Sequence, residues 1–283
     1  MINSLKNRIV EGKNGRDFLL DLYYKSDGIP KPIIVFGHGF KGFKDWGHWE
    51  AIAMDFAEQG VAFVKFNYAF NGTTMDAPDE FGDLEAFGNN NYTKELDDFQ
   101  STIDWLFQQS EVSSTEFDFG RLSVIGHSRG GPIALITAKE DDRVSNVITW
   151  AAVHGLDYAW PDQQFLDHWK QEGVFHAKNG RTGQMMPLYY QLFENFNANR
   201  SRLDIEQSLK GFNKPTMIIH GTDDPAVPML AADRLQKGIP HAKKALIDGA
   251  DHVFNGRHPY AENVLPAESK ELIRLTTSFI LEK

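Results

Sequence analysis

The sequence of 283 residues contains no cysteine, and this absence excludes several kinds of chemistry. Without a thiol the chain can form no disulfide, no thiolate metal site and no cysteine nucleophile. Residues 1–10 also lack the apolar core that a signal peptide needs. We therefore expect a cytoplasmic protein.

Long apolar runs and an excess of positive charge are also missing. No run of about 18 apolar residues occurs, so we expect no membrane-spanning helix. The 29 basic residues are outnumbered by 39 acidic ones, and the net charge of −10 argues against nucleic acid or an anionic membrane surface as a partner. The sequence leaves the oligomeric state open, a homodimer included.

The sequence also shows no site for a common cofactor. No Gly-rich loop has the form that cradles a phosphate, and no cluster of histidines and carboxylates has the spacing of metal ligands. We therefore predict a protein that works without a cofactor and without a metal.

The apolar residues indicate one large α/β domain with an insertion. They make up 41% of the chain, which is enough for a sizeable core. Apolar runs alternate with helix-like stretches, which is typical of a mostly parallel, doubly wound sheet with helices on both faces. Strands are predicted at 18–24 (an edge strand), 32–36, 61–68, 122–126, 146–153, 215–220 and 244–247. Helices are predicted at 46–59, 93–109, 130–138 and 267–281, with Asp45 as the N-cap of the first.

Residues 155–213 break this alternation, because they are rich in aromatic, amide and charged residues and contain no clear buried strand. We predict that they form a cap inserted into a core domain of residues 1–154 and 214–283. Most of the cap's aromatic side chains are expected to form its own small core, and one or two to line a substrate pocket. These aromatic residues are Trp160, Phe165, Trp169, Phe175, Tyr189, Tyr190, Phe193 and Phe196. Residues 71–92 are predicted to be a long surface loop.

One short segment carries the strongest chemical signal. Ser128 lies between Gly126 and Gly130, after the apolar run 122–125 and before the helix-like run 133–136. This order predicts a strand, a sharp turn and a helix, with the serine at the bend. Such a turn needs residues without bulk on either side, because the backbone is strained and the neighbouring chain comes close. The hydroxyl would then project from the top of the sheet, where a base can reach it.

A serine hydroxyl needs a base to remove its proton, and the base needs an acid that fixes its tautomer. In a doubly wound sheet these groups are expected at the carboxyl ends of later strands. Two segments fit: residues 220–228, which contain Asp223 and Asp224, and residues 248–254, which contain His252. The chain order is therefore serine, aspartate, histidine.

Together these motifs resemble the α/β-hydrolase superfamily over most of the chain. The motifs that carry the resemblance are Gly-x-Ser-x-Gly at 126–130, His-Gly-x-x-Asp-x-x-Val-Pro at 220–228 and Gly-x-x-His at 249–252. The sequence is most similar to the dienelactone-hydrolase and prolyl-oligopeptidase-like branch, in which small bacterial feruloyl and cinnamoyl esterases carry an insertion at the same place. The resemblance implies an α/β-hydrolase fold, with Ser128 as nucleophile, Asp224 as acid and His252 as base.

Hydrolysis also needs donors for the negative charge that develops on the substrate's carbonyl oxygen. The turn predicts one of them, the backbone N–H of Arg129, which follows the serine at the start of a helix. Residues 38–42, His-Gly-Phe-Lys-Gly, resemble the superfamily's His-Gly-x-x-Gly loop. This resemblance implies that the backbone N–H of Phe40 is the second donor.

Other residues could take some of these roles. Asp223 is the alternative acid, and the motif register favours Asp224. Asp251 is the poorer acid for His252, because neighbouring side chains usually diverge. The alternative bases are His220, which we interpret as shaping the acid's loop, His241, which we place in a loop, and His258, which we place on the surface.

The remaining polar residues near these motifs are given structural roles. We interpret His38 and His127 as histidines held by backbone hydrogen bonds around the site. The charges of Lys41, Lys44 and Asp45 are expected on a solvated face. The side chain of Arg129 is expected to form a surface salt bridge, and an anionic group of the substrate is the alternative partner.

We therefore predict a serine hydrolase that cleaves small-molecule carboxylic esters through an acyl-enzyme. Two alternatives stay open. The first is a dipeptidyl- or acylaminoacyl-peptidase-like amidase, although the chain has no room for a propeller domain. The second is a hydrolase-fold binding protein without catalysis, against which the complete set of motifs argues. The sequence specifies neither the acyl group nor the alcohol.

Overall fold

The protein is described by a computed structural model that covers residues 1–158 and 160–282. Its strands are β1 (Ile2–Val10), β2 (Phe18–Lys25), β3 (Lys31–Gly37), β4 (Ala62–Phe66), β5 (Phe117–His127), β6 (Val144–Trp150), β7 (Val174–Lys178), β8 (Met185–Tyr189), β9 (Thr216–Gly221) and β10 (Lys243–Ile247). Eight of these form a central sheet in the order β1-β2-β4-β3-β5-β6-β9-β10. β2 pairs antiparallel with β1 and β4, and the other neighbours pair in parallel.

The helices flank this sheet. They are α1 (Trp49–Glu58), α2 (Leu84–Gly88), α3 (Tyr92–Gln108), α4 (Gly130–Glu140), α5 (Gln163–Glu172), α6 (Gln191–Ala198), α7 (Arg200–Leu203), α8 (Ile205–Ser208), α9 (Leu230–Gly238) and α10 (Ala267–Leu281). None of the helices within residues 1–158 and 160–282 combines the length and the apolar character that a bilayer crossing requires.

The core lies on both faces of the sheet. On β3, Ile33 and Val35 pack into one apolar cluster with α3 and α4, whereas Ile34 and Phe36 pack into another with α1 and α10. Neighbouring side chains of a strand point to opposite faces, so a strand buried on both sides reads as a continuous apolar run. The predicted doubly wound α/β fold with helices on both faces is confirmed.

Helix α3 shows why the sequence forms these elements where it does. Its buried residues Leu96, Phe99 and Ile103 follow the spacing of one helix face, as predicted. Asn91 precedes the helix, and its Oδ1 accepts the N–H of Lys94 at 3.1 Å. This cap satisfies one of the free N–H groups of the first turn.

The predicted edge strand 18–24 is wrong in its position, because β2 lies between β1 and β4 and its residues are almost all buried. The edge is β1, with the sequence Ile-Asn-Ser-Leu-Lys-Asn-Arg-Ile-Val. Apolar and polar residues do not alternate regularly in this segment, and most of its residues are polar. Only its pairing with β2 therefore identifies it as a strand.

The predicted surface loop 71–92 is also wrong, because much of it is buried and it contains α2. Phe81 and Phe87 pack with Phe43 and Met186 in a small apolar cluster. The polar residues of the segment are satisfied locally. For example, Asn71 Oδ1 accepts hydrogen bonds from the backbone and the hydroxyl of Thr73.

Residues 155–213 contain the helices α5–α8 and an antiparallel hairpin of β7 and β8, which the sequence did not reveal. The Trp160 ring lies 5.4 Å from that of Phe196 and 5.7 Å from that of Phe193, measured between centroids. Phe196 in turn contacts Tyr92 of α3. The predicted aromatic core of this segment is therefore continuous with α3. Its division from the rest of the chain as a cap stays a prediction.

The sequence suggested that Lys44 and Asp45, which precede the first helix, lie on a solvated face. This expectation is wrong. Lys44 is only 1% exposed, and its Nζ lies 2.9 Å from Asp21 Oδ2 and 2.5 Å from Asp45 Oδ2. The Nζ of buried Lys65 contacts the same two carboxylates, Asp21 at 2.6 Å. Helix α1 starts after His48, so Asp45 is not its N-cap. These four charges connect the loop after β3 to β2 and β4.

Asn in place of Asp21 is expected to lower the free energy of unfolding by about 3–5 kcal/mol, because it leaves two buried lysines with one carboxylate. Burial alone would raise the pKa of Asp21, but the charges of Lys65 and Lys44 lower it to about 2. This stabilisation is complete above the ordinary pKa of 3.8 and is lost as the pH falls through about 2. Urea unfolding at pH 7 and pH 3 measures the difference between wild type and variant.

The matched control is Asp233→Asn, because the Asp233 side chain is 57% exposed in its pair with Lys244. Such a pair contributes about 0–1 kcal/mol. Equal losses in both variants, or a wild type and Asp21→Asn of equal stability at pH 7, would show that the buried charges do not stabilise the fold.

Candidate active site

Ser128 lies in the turn between β5 and α4, with a left-handed φ of +54°. Its N–H donates to Trp150 O on β6 at 2.9 Å. A Cβ at Gly126 would lie 1.9 Å from Gly130 O, and one at Gly130 would lie 2.6 Å from Gly37 O. Both flanking positions therefore require glycine, as the sequence predicted. The turn that the motif requires is present.

Asp224 and His252 lie in the loops after β9 and β10 and are hydrogen-bonded to each other. The distance from His252 Nδ1 to Asp224 Oδ2 is 2.8 Å, and the Asp224 side chain is fully buried. The other oxygen, Oδ1, accepts the N–H groups of Ala226 and Val227, both at 2.8 Å. Asp223, the alternative acid, has its Oδ1 on the Thr222 hydroxyl instead. The structure therefore brings together the aspartate and the histidine that the motif register favoured.

The surroundings keep Asp224 ionised. Although burial alone would raise its pKa, the hydrogen bonds from His220 and His252 hold the pKa of this carboxyl well below its usual range. His220 is buried, and its Nε2 lies 2.8 Å from Val227 O and 3.4 Å from Asp224 Oδ2. His220 thus shapes the loop of the acid, in agreement with its interpretation from the sequence.

Ser128 and His252 line the same cavity, which has a volume of about 240 Å³. Within the described part of the chain, no hydrogen bond joins Ser128 Oγ to His252 Nε2. The serine is therefore placed beside the histidine but not yet bonded to it. Catalytic hydrogen bonds of free enzymes are often long and tighten only when substrate binds.

His127, next to the serine, supports the base. Its Nε2 lies 2.8 Å from the backbone oxygen of His252, and the two rings are 4.8 Å apart. Burial, together with the neighbouring His252, lowers the pKa of His127 to about 3, so the ring is neutral. A neutral ring facing a carbonyl carries its proton on Nε2 and donates it there. His127 is thus held by a backbone hydrogen bond, as expected.

The loop after β3 lies against the serine. A Cβ at Gly39 would lie 2.8 Å from Ser128 Cβ, and the next residue, Phe40, lines the cavity. Among the described residues, neither the N–H of Phe40 nor that of Arg129 donates to another group of the chain. Two unused N–H groups beside a serine can bind a developing oxyanion.

The side chain of Arg129 is not in a surface salt bridge, and the expectation from the sequence is wrong. The residue is only 7% exposed, and its Nη2 lies 2.5 Å from Glu95 Oε1 on α3. Its guanidinium carbon lies 4.6 Å from the centroid of the Phe40 ring. Arg129 therefore holds the turn of Ser128, the loop of Phe40 and helix α3 together.

Two further residues lie elsewhere than expected. His258 is not free on the surface: its Nδ1 accepts the N–H of Gly47 at 2.8 Å, and its ring stacks on Trp46. Lys41 is half-buried and lines the cavity rather than a solvated face.

The remaining alternative base, His241, is exposed, and its ring is hydrogen-bonded to Lys214 O. Asp251 accepts N–H groups of its own loop.

The residues 155–213 contribute Asn179 and Gly180 to the cavity wall. None of their described aromatic side chains lines this cavity, although one or two were expected to. The sequence offered no signal for Asn179, because a lone asparagine before a glycine indicates only a turn.

No group of three or more histidine, aspartate or glutamate side chains in the described ranges is arranged to hold a metal ion. The site combines the components of acyl transfer: a buried acid, a histidine oriented by it, a serine in a strained turn and two free N–H groups.

Comparisons with known proteins identify the family of this chain. A model of the alpha/beta hydrolase family matches residues 34–263. The uncharacterized protein YfhR of Salmonella typhimurium is 24% identical over 229 residues, which cover 80% of this chain and 66% of YfhR. The quorum-quenching protein AidA of Acinetobacter baumannii is 27% identical over 128 residues, which cover 45% of this chain and 38% of AidA. These matches therefore span less than two thirds of either relative.

Among solved structures, Est1E from Butyrivibrio proteoclasticus with bound ferulic acid has a TM-score of 0.69 to this chain, at 18% identity. The likeness covers 97% of this chain and 98% of that one, and it shows that the two share a fold. The family model, which covers most of the sequence, goes further. The chain belongs to the alpha/beta hydrolase family, and this membership supports a hydrolase activity.

Proposed function

We propose that the protein hydrolyses carboxylic esters of small molecules through an acyl-enzyme on Ser128. His252 takes the hydroxyl proton as Ser128 Oγ attacks the carbonyl carbon, and Asp224 holds His252 in the required tautomer. The N–H groups of Phe40 and Arg129 bind the oxyanion, each contributing about 3 kcal/mol. His252 then protonates the leaving alcohol and activates the water that releases the acid.

The observation that carries this proposal is the 2.8 Å contact between His252 Nδ1 and Asp224 Oδ2 beside a cavity that Ser128 lines. A buried carboxylate fixes the proton on Nδ1, so that Nε2 is free to accept the proton of a hydroxyl. A neutral pocket histidine without such a partner would have no defined tautomer.

We further propose that residues 155–213 act as a cap that limits which esters reach Ser128. The contribution of Asn179 and Gly180 to the cavity wall supports this role. These residues belong to the turn between β7 and β8, so the hairpin rather than the aromatic core of the segment shapes the cavity.

A two-part experiment tests the proposed function. We expect a fluorophosphonate probe to label the wild type on the peptide that contains Ser128, and we expect turnover of 4-nitrophenyl acetate and of ethyl ferulate to exceed that of a proline 4-nitroanilide. Ethyl ferulate is included because the similar Est1E structure holds ferulic acid. Faster turnover of the anilide would favour an amidase, and absence of labelling would favour a binding protein without catalysis.

A further inference from the structure

Each of the two N–H groups proposed for the oxyanion lies next to a residue with a strained backbone. Ser128, which precedes Arg129, has a left-handed φ of +54°, and Lys41, which follows Phe40, has one of +58°. Neither residue is a glycine, so this conformation is unfavourable at both positions. Such conformations persist only where the surrounding contacts impose them. The positions of the two donors therefore depend on the contacts that hold these two turns.

Backbone hydrogen bonds hold each turn internally. In the turn of Ser128, the N–H of Gly131 donates to Ser128 O at 3.0 Å. In the loop after β3, the N–H of Gly42 donates to Gly39 O at 3.1 Å. Each of these bonds lies within one turn, so neither of them sets the distance from one oxyanion donor to the other.

The side chain of Arg129 connects the two turns. It starts in the turn of Ser128, and its guanidinium carbon lies 4.6 Å from the centroid of the Phe40 ring. A flat guanidinium is attracted to the face of an aromatic ring, and the attraction is stronger where water is excluded. The Phe40 ring also packs against that of Phe87 on α2, with 5.6 Å between the centroids. The residue that carries one donor thus packs on the residue that carries the other.

Glu95 of α3 fixes the guanidinium of Arg129. The Glu95 side chain is buried, and its Oε1 accepts hydrogen bonds from Arg129 Nη2 at 2.5 Å and from Asn90 Nδ2 at 2.8 Å. The ring of Tyr92, also on α3, lies 5.8 Å from the guanidinium carbon. Burial raises the pKa of Glu95, and the charge of Arg129 acts against this shift. The ion pair therefore holds the arginine side chain in one orientation.

Stability alone does not account for this buried pair. Removing two charges from water costs much of what their attraction contributes, so apolar side chains of similar size often give an equally stable fold. The hydrogen bonds of the pair are directional, however, whereas apolar contacts are not. Among the described residues that line the cavity, neither Arg129 nor Glu95 occurs. The pair is thus suited to orient the two turns rather than to bind a substrate.

We propose that Arg129 and Glu95 are positioning residues, whose side chains hold the N–H groups of Phe40 and Arg129 at the spacing that the oxyanion needs. This inference rests on the proposed function. The donors act when charge develops on the carbonyl oxygen, so a displaced donor weakens the transition state more than the bound ester. A displacement of about 1 Å, caused by a change away from the reacting atoms, can cost about 100-fold in rate.

Arg129→Met tests this role, because it removes the guanidinium but keeps the backbone N–H and a side chain of similar length. We expect kcat for 4-nitrophenyl acetate to fall by about 10–100-fold, while KM stays within about threefold of the wild type. The rates are expressed per active site, counted as the protein that a fluorophosphonate probe labels at completion. Misfolded protein is then left out of the comparison.

A tetrahedral inhibitor gives a second readout. Phenylboronic acid adds to a serine hydroxyl and places a boron-bound oxygen where the oxyanion forms, so it resembles the transition state. Its inhibition constant should rise in Arg129→Met by about the factor by which kcat falls. A variant that merely folds less well would show a smaller labelled fraction with an unchanged inhibition constant.

The role of Glu95 is tested by a double-mutant cycle. We expect Glu95→Leu to lower kcat by about the same factor as Arg129→Met, because it acts through the arginine. The double variant should therefore lose no more than either single variant. It also leaves no unpaired charge in the interior, so it carries the test of both residues if a single variant does not fold. Losses that multiply in the double variant overturn the inference that Glu95 acts through Arg129.

The matched control is Lys31→Met, which also removes the cation of a buried ion pair, the one with Glu116. Lys31 begins β3 and thus lies at the end opposite to the loop of Phe40, so its kcat should stay within about twofold of the wild type. A kcat of Arg129→Met within threefold of the wild type, or a rise in KM at unchanged kcat, overturns the positioning role alone. Failure of the wild type to hydrolyse 4-nitrophenyl acetate overturns the proposed function and this role together.

Discussion

Alanine in place of Ser128 is expected to lower kcat/KM for 4-nitrophenyl acetate by about 10⁴-fold or more. The variant retains the N–H groups of Phe40 and Arg129 and the pair of His252 and Asp224, but it has no oxygen that can form an acyl-enzyme. Alanine also fits the turn, because a methyl group is smaller than the side chain it replaces. The fold should therefore persist, and the loss should be one of chemistry.

The release of 4-nitrophenolate above a buffer blank measures this loss, with circular dichroism as the check on folding. Ser201→Ala is the matched control, because Ser201 is an exposed serine of α7. A Ser128→Ala variant that keeps more than a tenth of the wild-type rate is incompatible with Ser128 as the nucleophile.

The second large effect is expected for Asp224→Asn, which should lower kcat by about 10³–10⁴-fold. The side chains have the same shape, and Oδ1, as the amide oxygen, can still accept the N–H groups of Ala226 and Val227. The amide nitrogen then faces His252 Nδ1 in place of Oδ2. Because both groups would be donors, the proton of His252 moves to Nε2, which can no longer accept the serine proton.

Asp223→Asn is the control for this experiment, because Asp223 is the neighbouring carboxylate and has no bond to His252 in the described structure. Its kcat should stay within about twofold of the wild type. The measurement is steady-state turnover at pH 7.5 with thermal unfolding of each variant recorded in parallel. A larger loss in Asp223→Asn than in Asp224→Asn would show that Asp224 is not the acid that orients His252.

The sequence predicts the parts of the site whose requirements are local. Gly126 and Gly130 are needed because backbone atoms fill the places where their side chains would lie. Such a requirement appears directly as a Gly-x-Ser-x-Gly pattern. The order of Asp224 and His252 at the ends of later strands follows from the alternation of strands and helices, which is also local.

The sequence does not predict contacts between polar residues that are distant along the chain. A charged residue in a sequence usually indicates a position exposed to solvent. The pairing of β2 with β4 nevertheless brings Lys44, Lys65 and Asp21 together in the interior. Arg129 and Glu95 are another such pair, joined where α4 packs on α3. Charge alone cannot indicate burial, because the partner that compensates it is a tertiary contact.

The sequence also predicts only some of the residues that line the cavity. Phe40 and Ser128 were placed there by motifs, whereas Asn179 reaches it because the turn between β7 and β8 packs on the loop after β3. The hairpin itself is partly exposed and its strands are short, so its pattern in the sequence is weak. The residues that line the cavity from outside the motifs are therefore the ones that the sequence reveals least.

The proposed hydrolysis requires a covalent acyl-enzyme at Ser128. Wild-type protein mixed with 4-nitrophenyl acetate and quenched in acid within milliseconds should show, by mass spectrometry, one added acetyl group on the peptide that contains Ser128. The adduct should disappear as turnover is completed and should never form in Ser128→Ala. An acetyl group on any other residue, or ester turnover with no adduct on Ser128 at any time, would contradict the proposed mechanism.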